Sequence, residues 1–174
     1  MFDVFVWNPG DGSDIVEGQA GSDTMLFNGA NAGENIDISA NGERVRFFRD
    51  VGNVTMDLNG VEHIQFNALG GADNITVNDL SGTDVKQVDI DLAATLGGAV
   101  GDGARDQVTV VGSAGNDAIS VFQQGDAVIV HSLIDEVTID HAEGQNDTLI
   151  VNGGAGNDNI DASGLAAGKI GLQL

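Results

Sequence analysis

The residues best placed to do chemistry are aspartates that close glycine-rich turns. Gly153-Gly154-Ala155-Gly156-Asn157-Asp158-Asn159-Ile160-Asp161 is a full G-G-x-G-x-D-x-U-x unit, where U is a large apolar residue. Two nine-residue units lie in tandem near the start, Pro9 to Glu17 with Asp14 and Gly18 to Leu26 with Asp23. Gly112 to Ser120, with Asp117, is a near-match. Such a turn exposes backbone carbonyls, and its Asp adds a carboxylate. Hard divalent cations want six or more oxygens in a tolerant geometry. One turn cannot fill that shell. Two turns stacked in adjacent layers can, and the ion then bridges the layers.

Used as a ruler, the core G-x-D-x-U finds weaker copies. Acidic residues fall at 62, 73, 84, 106 and 117, with steps of 11, 11, 22 and 11. The same step of 11 links Asp23 to Glu34 and Asp147 to Asp158. The ruler therefore adds Asp73, Asp84, Asp106 and Asp147 to the candidate metal ligands. Stacking at every second unit predicts a column of Glu62, Asp84 and Asp106. It puts Asp73 and Asp117 on the opposite edge, with Thr95 in the empty place between them, and pairs Asp14 with Glu34.

The turns must be held by strands. Apolar pairs two residues apart recur along the chain: Val45/Phe47, Val54/Met56, Ile64/Phe66, Ile75/Val77, Val108/Val110, Ile119/Val121, Val128/Val130, Val137/Ile139 and Leu149/Val151. Period two is the signature of a strand with one buried face. The intervals are too short for a strand-helix-strand unit. The reading is all-β: a parallel β-roll, or β-solenoid, of short strands with Gly/Asp-rich turns. An alternative layout for residues 37–59 and 120–143 places local hairpins at Asn41-Gly42 and Gln124-Gly125. Segments also match at longer range. Gly42, Val54 and Asp57 correspond to Gly125, Val137 and Asp140 at an offset of 83, and Ile64 and Asp73 to Leu149 and Asp158 at 85. The chain reads as a single domain over 1–174, built from a tandem duplication (about 34–90 and 117–174), and as a fragment of a longer repeat protein.

Charge limits the partners. The chain has 174 residues, 27 Asp and Glu against 6 Lys and Arg, and a formal net charge of −21. Nucleic acid needs a basic face and is excluded. Self-repulsion of this size calls for neutralisation, and inorganic cations supply it most simply. There is no cysteine, so disulfides and thiolate metal sites are ruled out. No apolar run approaches membrane-spanning length. His63, His131 and His141 lack metal-ligand spacing, and Arg44 and Arg46 alternate outward among acids.

The nonapeptides, with the opening Val4-Phe5-Val6-Trp7-Asn8-Pro9-Gly10-Asp11-Gly12-Ser13-Asp14-Ile15-Val16, resemble the haemolysin-type (RTX) calcium-binding repeat proteins. That resemblance implies calcium between layers of a parallel β-roll, with ligand roles for Asp14, Asp23, Asp117 and Asp158. It also implies a bacterial protein exported by type I secretion, hence extracellular or at the cell surface. The expectation is a calcium-binding structural module rather than an enzyme. Adhesion or end-to-end self-association with few calcium sites is the alternative, and a polysaccharide-active β-helix a lesser one.

Overall fold

The computed structural model describes residues 1–132 and 136–174. Apolar alternation produces short strands throughout: β1 (Val4–Trp7), β2 (Asp14–Glu17), β3 (Thr24–Asn28), β4 (Asn35–Asn41), β5 (Arg44–Arg49), β6 (Val54–Asn59), β7 (His63–Asn67), β8 (Asn74–Val77), β9 (Gln87–Asp91), β10 (Gln107–Val111), β11 (Ala118–Gln124), β12 (Ala127–His131), β13 (Glu136–Asp140), β14 (Thr148–Asn152), β15 (Asn159–Gly164) and β16 (Gly171–Gln173). No helix occurs among the described residues. Every apolar pair named above is buried.

The architecture corrects the parallel β-roll. The strands form two eight-stranded mixed sheets, ordered β1-β3-β7-β9-β13-β12-β11-β15 and β16-β14-β10-β8-β4-β5-β6-β2. Most pairs are parallel. The meanders β4-β5-β6 and β11-β12-β13 are antiparallel. The cause is local. Asn41 pairs with Arg44 and Gln124 with Ala127, leaving Gly42-Glu43 and Gly125-Asp126 as two-residue turns. Gly42 and Gly125 have φ of 67° and 63°, while the residues after them do not have positive φ. Glycine first, in a left-handed conformation, is the type II′ hairpin pattern, whose twist matches the strands it joins. A Cβ at Gly42 would meet nothing within 4 Å, so the cost of replacing it is purely conformational. Gly42→Ala is expected to lower unfolding stability by about 1 kcal/mol in urea titration.

The pairing pattern recurs after seven strands, in the opposite sheet. β1-β3-β7-β9 in one sheet matches β8-β10-β14-β16 in the other, and β2-β6-β5-β4-β8 matches β9-β13-β12-β11-β15. The chain changes sheet an odd number of times per seven strands, so the second meander lies opposite the first.

The core fills the space between the sheets. Its N-terminal part is aromatic. Trp7 stacks on Phe27 at 4.0 Å and 5°, and Phe47 and Phe66 close the cluster. The Trp7 indole donates to Gly12 O at 2.6 Å, which folds the first glycine turn onto the end of the core. Beyond β9 the core is mainly Val, Ile and Leu.

Candidate functional site

An acid stands immediately before most of the parallel strands, and these acids make one repeated contact. The backbone N–H of one acid donates to the carboxylate of the acid in the neighbouring strand. The residue after that second acid returns an N–H to the carbonyl of the first. In one sheet Asp3 donates to Asp23 (2.7 Å), Asp23 to Glu62 (2.7 Å) and Asp117 to Asp158 (3.0 Å). Thr24, His63 and Asn159 return N–H bonds to the carbonyls of Asp3, Asp23 and Asp117. In the other sheet Glu34 donates to Asp73 (2.7 Å), Asp73 to Asp106 (2.9 Å) and Asp106 to Asp147 (3.1 Å). Asn74, Gln107 and Thr148 return bonds to the carbonyls of Glu34, Asp73 and Asp106. Each reciprocal pair ties two neighbouring turns together where their strands begin.

Glycines allow the turns to come this close. A Cβ on Gly156, whose φ is +131°, would overlap Gly115 O in the turn beneath it, and one on Gly18 would overlap Gly60 O. Of the acids in these pairs, Asp23, Glu34, Asp73, Asp106 and Asp147 are buried, and Asp3, Glu62, Asp117 and Asp158 are half-buried.

The longest acidic column is Glu34–Asp73–Asp106–Asp147, and all four are buried. Two half-buried acids overlie it. Asp102 Oδ2 accepts the Gly71 N–H at 2.6 Å, and Glu143 Oε2 accepts that of Gly103 at 2.6 Å. Burial pushes Asp73 up to about 8; the Glu34 N–H opposes this, and the charges of Asp106, Glu34 and Asp102 add to it. Burial pushes Asp106 up to about 6, against the Asp73 N–H and with Asp147, Asp102 and Glu143 adding to it. Asp147 is raised for the same first reason. Asp73 Oδ2 is buried without a hydrogen-bond partner, as is Asp23 Oδ2. A buried carboxylate with one empty oxygen among other carboxylates is an unusual arrangement.

The structure distributes the candidate ligands differently from the ruler. Asp73, Asp106 and Asp147 share a column. Asp23 sits in the other sheet between Asp3 and Glu62, and Asp117 and Asp158 stack on each other. The column of Glu62, Asp84 and Asp106 does not form, nor do the pairings of Asp73 with Asp117 and Asp14 with Glu34. Neighbouring acids are 33 to 41 residues apart, except for Asp3 and Asp23 at 20. The spacing of 22 fails because β9, the partner of β7, begins after Lys86 rather than after Asp84, and Asp106 precedes β10 of the other sheet. Asp84 is exposed, and Lys86 takes the position directly before β9. Asp14 is exposed and opens β2 opposite Met56. Asp117 Oδ2 accepts the Ser113 N–H at 2.9 Å, closing its own turn.

No protein-family model, curated protein or solved structure matches the chain.

Several functional groups lie outside the motif. Asp3 was legible in Asp3-Val4-Phe5-Val6-Trp7, an acid followed by the same alternation as the other columns. Asp102 and Glu143 carry no sequence signal beyond a neighbouring glycine. Arg49 alternates with Val45 and Phe47, and it is buried on their side of β5. Its guanidinium pairs with Glu34 inside the fold and lies 5.4 Å from the Trp7 ring. Arg44 bonds Glu17 and Asp57 on the surface, and Arg46 bonds Asp37. His63 Nε2 lies 2.8 Å from Asp89 Oδ2, and His141 Nδ1 lies 2.6 Å from Asp91 Oδ1.

The donor type is that of a hard cation, carboxylate oxygen beside glycine-turn backbone, but the two unpartnered buried oxygens, on Asp73 and Asp23, precede strands of different sheets and do not share a site. Among the described residues, no three His, Cys, Asp or Glu side chains form a ready-made metal centre. Nor is any helix of the described residues long and apolar enough to cross a membrane.

Proposed function

We propose that this chain is a non-catalytic structural and binding module that takes up hard divalent cations, calcium first, along the Glu34–Asp73–Asp106–Asp147 column. The observation that carries the reading is Asp73, a fully buried carboxylate with one oxygen unpartnered and three further acids acting on it. A carboxylate in that position takes either a proton or a cation. Calcium accepts several carboxylate and carbonyl oxygens at flexible geometry, which suits a stack of glycine turns. Asp73, Asp106, Asp102 and Glu143 would supply charge there. Asp23 offers a second, smaller site on the other sheet. Stabilisation by external calcium fits an extracellular or cell-surface setting, where the ion is abundant.

The test is calcium titration by calorimetry, with thermal unfolding followed in calcium and in chelator. At about 1 mM calcium, the affinity range of extracellular modules, binding heat and a rise in melting temperature of several degrees are expected. Asp73→Asn is expected to remove most of both. A melting temperature indifferent to calcium and chelator, with no binding heat, would show that the reciprocal hydrogen bonds and bound protons hold the column without a metal. The hydrogen bonds themselves support that second reading, because each column acid except the last already donates its N–H to a carboxylate.

A further inference from the structure

The geometry points to a head-to-tail association site for a second copy of this chain, in which β1 of one molecule pairs in parallel with β15 of another. β1 and β15 are the two edges of the same sheet. Every strand of that sheet except β12 runs in one direction, so a second copy placed beyond β15 continues it without reversal.

The acid contact shows why these edges match. In the three acid pairs described in this sheet the N–H donor lies on the β1 side and the accepting carboxylate on the β15 side. The pattern runs out at both ends. Among the described residues, the Asp3 carboxylate accepts no hydrogen bond and the Asp158 N–H has no partner. A second copy would bring its Asp3 carboxylate to that N–H. Its Val4 N–H would meet Asp158 O, as Asn159 meets Asp117 O within one molecule. The register follows. Val4 faces Asn159 on the outer side, and Phe5 faces Ile160 on the inner side. Phe5 and Ile160 are only partly buried, at opposite ends of the core, and each would gain cover. Edge strands with unpaired backbone groups are ready templates for such pairing. A heterologous contact of this kind does not close on itself, so the product is an open row rather than a fixed dimer.

Acids oppose it. Asp3, Asp11, Asp14 and Glu17 lie at one end and Asp158 and Asp161 at the other. Association should therefore strengthen with ionic strength.

The test is sedimentation over a wide concentration range, in chelator so that calcium binding is not involved, at about 0.15 M and about 1 M salt. Average mass is expected to grow with concentration, without a plateau at two copies, and more at high salt. Asp3→Ala is expected to weaken association about tenfold while leaving melting nearly unchanged, since that carboxylate makes no hydrogen bond or ion pair to the described residues of the single molecule. The chain lacks cysteine, so Val4→Cys and Asn159→Cys variants can be mixed and oxidised. The Val4–Asn159 cross-link should exceed both self-links. A monomer at every concentration would overturn the proposal, as would a Val4–Val4 link formed in preference.

Discussion

Arg49→Met is expected to destabilise the fold by about 3–5 kcal/mol, the usual loss when one partner of a buried ion pair is removed. Glu34 has a side-chain exposure of 0% and Arg49 of 5%, so water reaches neither. The guanidinium also donates to Val51 O at 2.9 Å, which ties the β5–β6 loop to the same point. Methionine keeps much of the volume but leaves Glu34 beside Asp73 with no cation. In a domain of this length each kcal/mol moves the melting temperature by roughly 2–4 °C, so a fall of about 10 °C is expected. Adding Glu34→Gln to Arg49→Met should recover most of it. The amide can still accept the Ala30 N–H that Glu34 accepts at 3.1 Å. A loss below about 1 kcal/mol in the single variant would show that Glu34 is already neutral in the folded protein.

Stability is expected to fall as pH rises through the neutral range, opposite to the behaviour of most salt-bridged acidic domains. The sign follows from the column. Asp73 and Asp106 hold protons in the folded state to about 8 and about 6, whereas an unfolded Asp releases its proton near 4. Between those limits the folded state binds more protons than the unfolded one, and raising the pH favours unfolding. The contribution is fully present below about pH 4 and is lost through the folded values. Acids shifted the other way, such as Asp89, which is held down by His63 and Gln87 against burial, act only below their ordinary range. In chelator, the melting temperature should therefore drop by about 5–10 °C from roughly pH 5.5 to pH 8.5. Asp73→Asn should flatten the upper half of that curve and melt higher than the parent at the alkaline end. It keeps an acceptor for the Glu34 N–H and removes the charge. A parent curve that rises with pH would show the column ionised in the fold without help.

Both predictions rest on residues that the sequence presents unequally. Asp73 stands out because Gly71-Ala72-Asp73-Asn74-Ile75 repeats the turn pattern. Glu34 is a weaker copy, and Arg49 looks like one of three basic residues in a short stretch. Alternation alone places Arg49 beside Val45 and Phe47. It does not say that a carboxylate 15 residues upstream waits for it.

What the sequence determined by itself is local. Period-two apolar pairs settle which side chains face inward, because successive residues of a strand must point to opposite faces. Glycine before acid settles where turns close and where strands begin. Asn41-Gly42 and Gln124-Gly125 offer reversals only as an alternative to solenoid coils, and it is the structure that has the hairpins. Only the tertiary structure decided which turn rests on which. Each strand start offers the same N–H, carbonyl and carboxylate, so the local pattern cannot distinguish a partner 22 residues away from one 41 away. The choice is made by the antiparallel meanders, which delay the chain's return, and by the shared core, which seats each strand in one sheet or the other. That choice buries Asp73 among three acids and places Arg49 against Glu34. It also leaves the Asp3 carboxylate and the Asp158 N–H at opposite ends of one sheet.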